Sequence, residues 1–108
     1  MIMKGNDMNH LPDVEVLFEF NNARKLPAKD GYRPAHLIKD NYLTTGIHHY
    51  YDSESIPPSG TAKGTITFIS PEFYPHCLWV GKKIAIYEGE KIIGYATITA
   101  IYNQLLRM

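Results

Sequence analysis

The sequence predicts an all-β protein closed into a six-stranded antiparallel barrel, and three observations carry that reading. Short runs of β-branched and aromatic residues alternate with polar ones, the period-two pattern of a half-buried strand. Gly, Pro, Asn and Asp clusters separate these runs, and no window of helical length shows a 3.6-residue apolar stripe. The last third of the chain, from Lys82 to Tyr102, sets two long strand patterns around Gly89, which reads as a hairpin with a tight turn. Closure into a barrel removes the exposed edges that so β-rich a chain otherwise presents.

Residues 1–12 are polar, contain Gly5 and Pro12 and show neither period, so they read as a flexible leader before a barrel domain at residues 13–108. In the first strand Val14, Val16, Phe18 and Phe20 share one face, and Asp13, Glu15, Leu17 and Glu19 take the other. Residues 21–31 are dense in turn formers and read as a loop, with a basic patch of Arg24, Lys25 and Lys29. Residues 32–38 read as an edge or strand-start segment, because Pro34 cannot donate to a central ladder. Residues 39–46 are the next reversal, residues 47–51 an aromatic third strand, and residues 52–60 a surface loop. The fourth strand runs over residues 61–70 and stops at Pro71. Residues 71–81 form a long connection rich in apolar groups, among them Phe73, Tyr74, Cys77, Leu78 and Trp79. It is expected to pack over one barrel end, since leaving such groups in water forfeits on the order of 2 kcal/mol each.

At 108 residues the chain makes one core-bearing domain. Eleven basic and eleven acidic side chains give a formal net charge of zero, so no global field draws nucleic acid or an anionic membrane from a distance. The single cysteine, Cys77, has no partner for an internal disulfide, which fits a reducing compartment and points to the cytoplasm. No secretory signal pattern is visible, and the longest mostly apolar run, residues 92–102, is far short of the roughly 20 residues that span a bilayer. A soluble protein is expected.

The candidates for chemistry weigh against an enzyme. His48 and His49 are adjacent on a strand and point to opposite faces, so they do not ligate one ion; with His10, His36 and His76 they read as surface or half-buried histidines. Cys77 beside His76 and Glu72 lacks a convergent base and reads as a buried, inert thiol. Glu88 and Glu90 flank a hairpin turn, where solvated carboxylates are the ordinary content. No catalytic residue, metal or cofactor is expected. The aromatic set Tyr42, Tyr50, Tyr51, Phe73, Tyr74 and Trp79 reads first as core and loop packing and second as a recognition surface.

Four motifs in order carry a resemblance: Gly31-Tyr32-Arg33-Pro34; Thr44-Thr45-Gly46; Pro58-Ser59-Gly60 opening a Thr/Ile-rich strand; and the stretch from Ile84 through Glu88-Gly89-Glu90-Lys91 to Ala96. Together they resemble the C-terminal β-barrel domain of elongation factor Tu, over roughly residues 13–103. No Gly-x-x-x-x-Gly-Lys-Ser/Thr loop is present, so nucleotide binding is not expected. The resemblance implies a barrel that meets protein neighbours and tRNA backbone. By motif match it places Thr45, Gly89 and Lys91, with the basic Arg33, at the RNA contact. Ala35, Glu90 and Thr61 depart from the family pattern, and a carboxylate at Glu90 repels phosphate.

The expected function is therefore a non-catalytic binding module, engaging a protein partner or a second copy of itself through Phe73, Tyr74 and Trp79. Binding of tRNA or other RNA through Thr45, Gly89, Lys91 and Arg33 is the alternative. Neither a nucleotide nor a membrane is expected as partner.

Overall fold

Strand β1, Val14–Phe20, buries Val14, Val16, Phe18 and Phe20 in the interior, as the alternation requires. In the computed structural model, which describes residues 11–108, seven further strands follow: β2 (Ala28–Lys29), β3 (Ala35–Lys39), β4 (Tyr42–Tyr50), β5 (Ser55–Ile56), β6 (Thr61–Phe68), β7 (Lys83–Glu88) and β8 (Lys91–Ile101). Six of them close into an antiparallel barrel in the order β1-β6-β4-β3-β7-β8, with β8 returning to β1. The remaining two, β2 and β5, form a separate ribbon. Residues 1–10, most of the predicted leader, lie outside the described residues.

Three of the connections differ from the sequence reading. The reversal predicted over residues 39–46 is only Asp40 and Asn41, with Asn41 at φ 61, and Tyr42 to Gly46 already belong to β4. Residues 21–31 and 52–60 are not plain loops: Ala28 pairs with Ile56 and Lys29 with Ser55, and this ribbon drives the two apolar side chains into the core. β3 is not an edge, because His36 pairs with Thr44 on one side and Ile86 on the other. The proline constraint acts one position earlier, since Pro34 precedes the strand. The fourth predicted strand ends at Phe68 rather than Ser70.

The Gly89 hairpin forms as predicted. Glu88 pairs with Lys91 across a two-residue loop, and Gly89 takes φ 63 at its first central position, which suits a primed turn. Two bulges in β8 break the simple alternation. One, at Ile93, lies between the Ile86↔Gly94 and Tyr87↔Ile92 pairs; the other, at Thr99, lies between Glu15↔Ala100 and Val16↔Ile98. The resulting phase changes allow Ile93, Ala96, Ile98 and Ile101 all to be buried from one strand.

Asp13, placed by alternation on the solvent side, is 6% exposed. Its carboxylate accepts from the Phe68 N–H at 2.7 Å and the Asn103 side-chain amide at 2.8 Å, while its carbonyl accepts from the N–H groups of Tyr102 and Asn103. The residue thus ties the start of β1 to the ends of β6 and β8. Burial pushes its carboxyl above the ordinary range, and the two hydrogen bonds pull it back. Asp13→Ala leaves both donors without this acceptor and is expected to cost about 2 to 3 kcal/mol. Urea midpoints measure it, and a loss under about 0.5 kcal/mol would show that the tie is replaceable.

The barrel interior holds a polar chain among apolar groups. His36 and His48, both fully buried, meet Nε2 to Nε2 at 2.8 Å. His36 Nδ1 stands 3.3 Å from the Thr44 carbonyl, and His48 Nδ1 stands 2.9 Å from the Tyr50 hydroxyl. These are not the surface or half-buried histidines of the sequence reading. The Thr44 oxygen only accepts, so His36 carries its proton on Nδ1 and accepts at Nε2. His48 then donates from Nε2 and accepts the Tyr50 O–H at Nδ1. In this arrangement both imidazoles are neutral and every ring nitrogen is satisfied. Phe18 lies 4.3 Å from His48 between ring centroids, and Gly46 gives His36 its room: a Cβ there would stand 2.9 Å from His36 Cε1.

Candidate interaction surface

The connection between β6 and β7 is built to turn alternate side chains in and out. Ser70 takes a left-handed φ of 54, and Pro71–Phe73 form one 3-10 turn. That geometry leaves Phe73 67% exposed and turns Tyr74 inward to 1%. The Tyr74 hydroxyl donates to the Ile69 carbonyl, and the Thr44 hydroxyl lies 3.0 Å from the Tyr74 hydroxyl oxygen. With its proton committed to Ile69, Tyr74 accepts from Thr44. Tyr74 is therefore a core residue anchoring the connection, a correction to its predicted place on an interaction surface.

Beyond Tyr74 the segment is fastened to the end of the chain. The N–H groups of His76 and Leu78 donate to the carbonyls of Leu105 and Leu106, and the Met108 N–H donates back to Leu78. Leu78 and Leu106 are buried by this bridge, and Cys77 is buried with its thiol 3.1 Å from the Tyr74 carbonyl. Burial raises the thiol pKa, as expected for the inert cysteine predicted. Trp79 and Val80 then emerge at 43% and 52% exposure. The connection covers the barrel end as foreseen, but it leaves apolar groups in water. Leu43, Ile69, Phe73, Trp79, Val80 and Leu105, all exposed, leave from segments at this one end. Leu43, Ile69, Val80 and Leu105 were missed by sequence reading; the Trp79-Val80 step just before Gly81 was the available signal for Val80.

Below Trp79 lies a groove of about 720 Å³ on the outer wall, lined by residues of β3, β7, β8 and the connection. Lys82 crosses under the tryptophan: its ammonium donates to the carbonyls of Ile38 at 2.8 Å and Cys77 at 2.9 Å, and it stands 4.6 Å from the ring centroid. Partial burial lowers its pKa. Two similar pairs stand nearby, Lys83 over Tyr95 at 5.0 Å and Lys39 over Tyr42 at 5.5 Å.

The four residues singled out for RNA lie elsewhere. Thr45 is half-buried on β4 in the row Thr45, Ala35, Tyr87, Ile92 across four strands, and exposed Arg33 precedes that row by two residues. Gly89 and Lys91 sit at the hairpin tip, at the end away from the β6–β7 connection. Lys91 donates its ammonium to the Ala23 carbonyl at 3.0 Å. Arg24 of the basic loop bonds Glu88 at 2.7 Å and the Leu26 and Pro27 carbonyls at 2.6 Å each, so it braces the loop. Glu88 is correspondingly not a simple solvated carboxylate: bonds from Tyr32 and Arg24 hold it below the ordinary range. Among the described residues, no group of three His, Cys, Asp or Glu side chains could hold a metal ion, and no helix is long and apolar enough to cross a membrane. No family model matches the chain.

Proposed function

We propose that the chain is a non-catalytic binding module of the reducing cytoplasm, akin to the C-terminal barrel of elongation factor Tu, and that it docks a protein partner on the end bearing Phe73 and Trp79. The observation that carries this reading is the gathering of exposed large apolar side chains at one barrel end. Large exposed apolar patches on folded domains mark interaction surfaces, and a tryptophan pinned by a cation is a preorganised anchor. Phe73 and Val80 contribute apolar area there without holding the core together.

The test is affinity capture from the native host with the full chain and with Phe73→Ser/Val80→Ser, whose fold is verified by circular dichroism. Proteins retained by the wild type and lost from the variant are expected. A retained set that is the same for both sinks the surface reading. An RNA contact stands second, favoured by the common wall of Thr45 and Arg33 and opposed by Glu88 and Glu90 beside Gly89.

A further inference from the structure

We infer that the groove beneath Trp79 takes an extended, carboxylate-rich segment of the partner protein, an inference that rests on the binding-module reading and names the chemistry of the partner. The groove exists because the β3–β7 ladder is short. Ala35 pairs with Tyr87 and His36 with Ile86, and the pairing stops there. Leu37 and Lys39 beyond that point, with Lys83 and Ala85 facing them, flank the groove, and Trp79 and His76 border it above.

Its charge is one-sided. Lys39, Lys82 and Lys83 line it against Asp40 as the single acidic side chain, in a chain whose formal charges sum to zero. Lys39 and Lys83 are exposed, and among the described residues neither side chain donates a hydrogen bond or forms an ion pair. Their ammonium groups are held near rings rather than acceptors, so their N–H donors remain free for an incoming anion. An extended segment places alternate side chains on one face about 7 Å apart, which lets two carboxylates reach lysines on opposite banks while an apolar side chain between them lies on Leu37 and Ala85.

A carboxylate ligand is favoured over a nucleic acid by where the lysines stand. Each of the three rings has an ammonium against one face, and on that face a stacking base would have to displace the cation and lose the cation–π contact. A carboxylate accepts from the same ammonium groups without moving them.

Trp79 is the only tryptophan and reports on the groove directly. The full chain is titrated with the peptide acetyl-Glu-Glu-Phe-Glu-Glu-amide, with its lysine counterpart acetyl-Lys-Lys-Phe-Lys-Lys-amide and with oligouridylate. Trp79 emission and calorimetry are followed at low and at physiological salt. A saturable response to the acidic peptide alone is expected, weakened by salt and reduced about tenfold by Lys39→Gln/Lys83→Gln. Lys82 is left in place because it also binds two carbonyls. The inference is overturned by no saturable response at millimolar acidic peptide, by equal affinity in wild type and variant, or by tighter, lysine-dependent binding of oligouridylate. Partner capture that depends on Phe73 and Val80 is read separately, so a failed peptide titration with that capture intact rejects the acidic ligand and leaves the binding-module reading standing.

Discussion

Gly64→Ala is expected to abolish the native fold or to cost on the order of 4 kcal/mol or more, among the largest losses a single methyl can cause. Gly64 sits in β6 opposite Val16 of β1 and Tyr50 of β4. A Cβ there would stand 1.9 Å from the His49 carbonyl oxygen and 3.0 Å from the Phe18 ring. The first of these is a backbone atom held in a ladder, so relief requires separating β4 from β6 and opening the barrel. A side chain could rotate away; a paired carbonyl cannot. Thermal and urea denaturation measure the effect, with Thr67→Ala on the half-buried outer face of the same strand as a control expected to change little. A Gly64→Ala protein within about 1 kcal/mol of wild type would mean that the two strands do not approach this closely.

Acidification from pH 7 is expected to destabilise the protein steeply before the carboxylates titrate. Burial lowers the His36 pKa from 6.5 to about 4, and burial together with the neighbouring His36 holds His48 well below its ordinary value. The folded state therefore binds fewer protons than the unfolded chain in this window. Stability is complete above about pH 6.5, the unfolded histidine value, and falls as the pH drops toward the folded one. For His36, the gap between 6.5 and about 4 amounts to roughly 3 kcal/mol at about 1.4 kcal/mol per pH unit, and His48 acts in the same direction. Glu88, held low by Tyr32 and Arg24, extends the loss to more acid pH, whereas Asp13, raised by burial, opposes it. His49 and His76 lie on the exposed surface. Urea midpoints at pH 7, 6, 5 and 4.5 check the expectation; a stability that is flat between pH 7 and 4.5 would contradict a neutral, buried histidine pair. The geometry gives the same sign for full protonation, since two imidazolium rings would set Nε2–H against Nε2–H across 2.8 Å.

Much of the fold was legible because strand alternation is a local property. Val14, Val16, Phe18 and Phe20 announce the buried face of β1, and Gly89 between two β-rich runs announces the hairpin. His48 inward and His49 outward follow from the same rule. The β2–β5 ribbon was not legible, because two-residue strands have no period and Ala28 finds Ile56 only across the barrel end. The bulges at Ile93 and Thr99 were hidden for a related reason: a phase shift within one strand is fixed by the register of its neighbours.

The candidate surface divides in the same way. Composition alone marked the connection as too apolar for a free loop and pointed to Phe73 and Trp79. It could not separate them from Tyr74, because a single 3-10 turn after a left-handed Ser70 decides which ring faces water. Lys39, Lys82 and Lys83 are unremarkable in sequence and become one cluster of charge only where β3 and β7 part. By itself the sequence determined an all-β barrel with a Gly89 hairpin and a crowded apolar connection, since these depend on neighbours along the chain. The tertiary structure decided the buried histidine pair, the Asp13 tie, the close approach at Gly64 and the lysine-lined groove, since each depends on groups brought together only when the barrel closes.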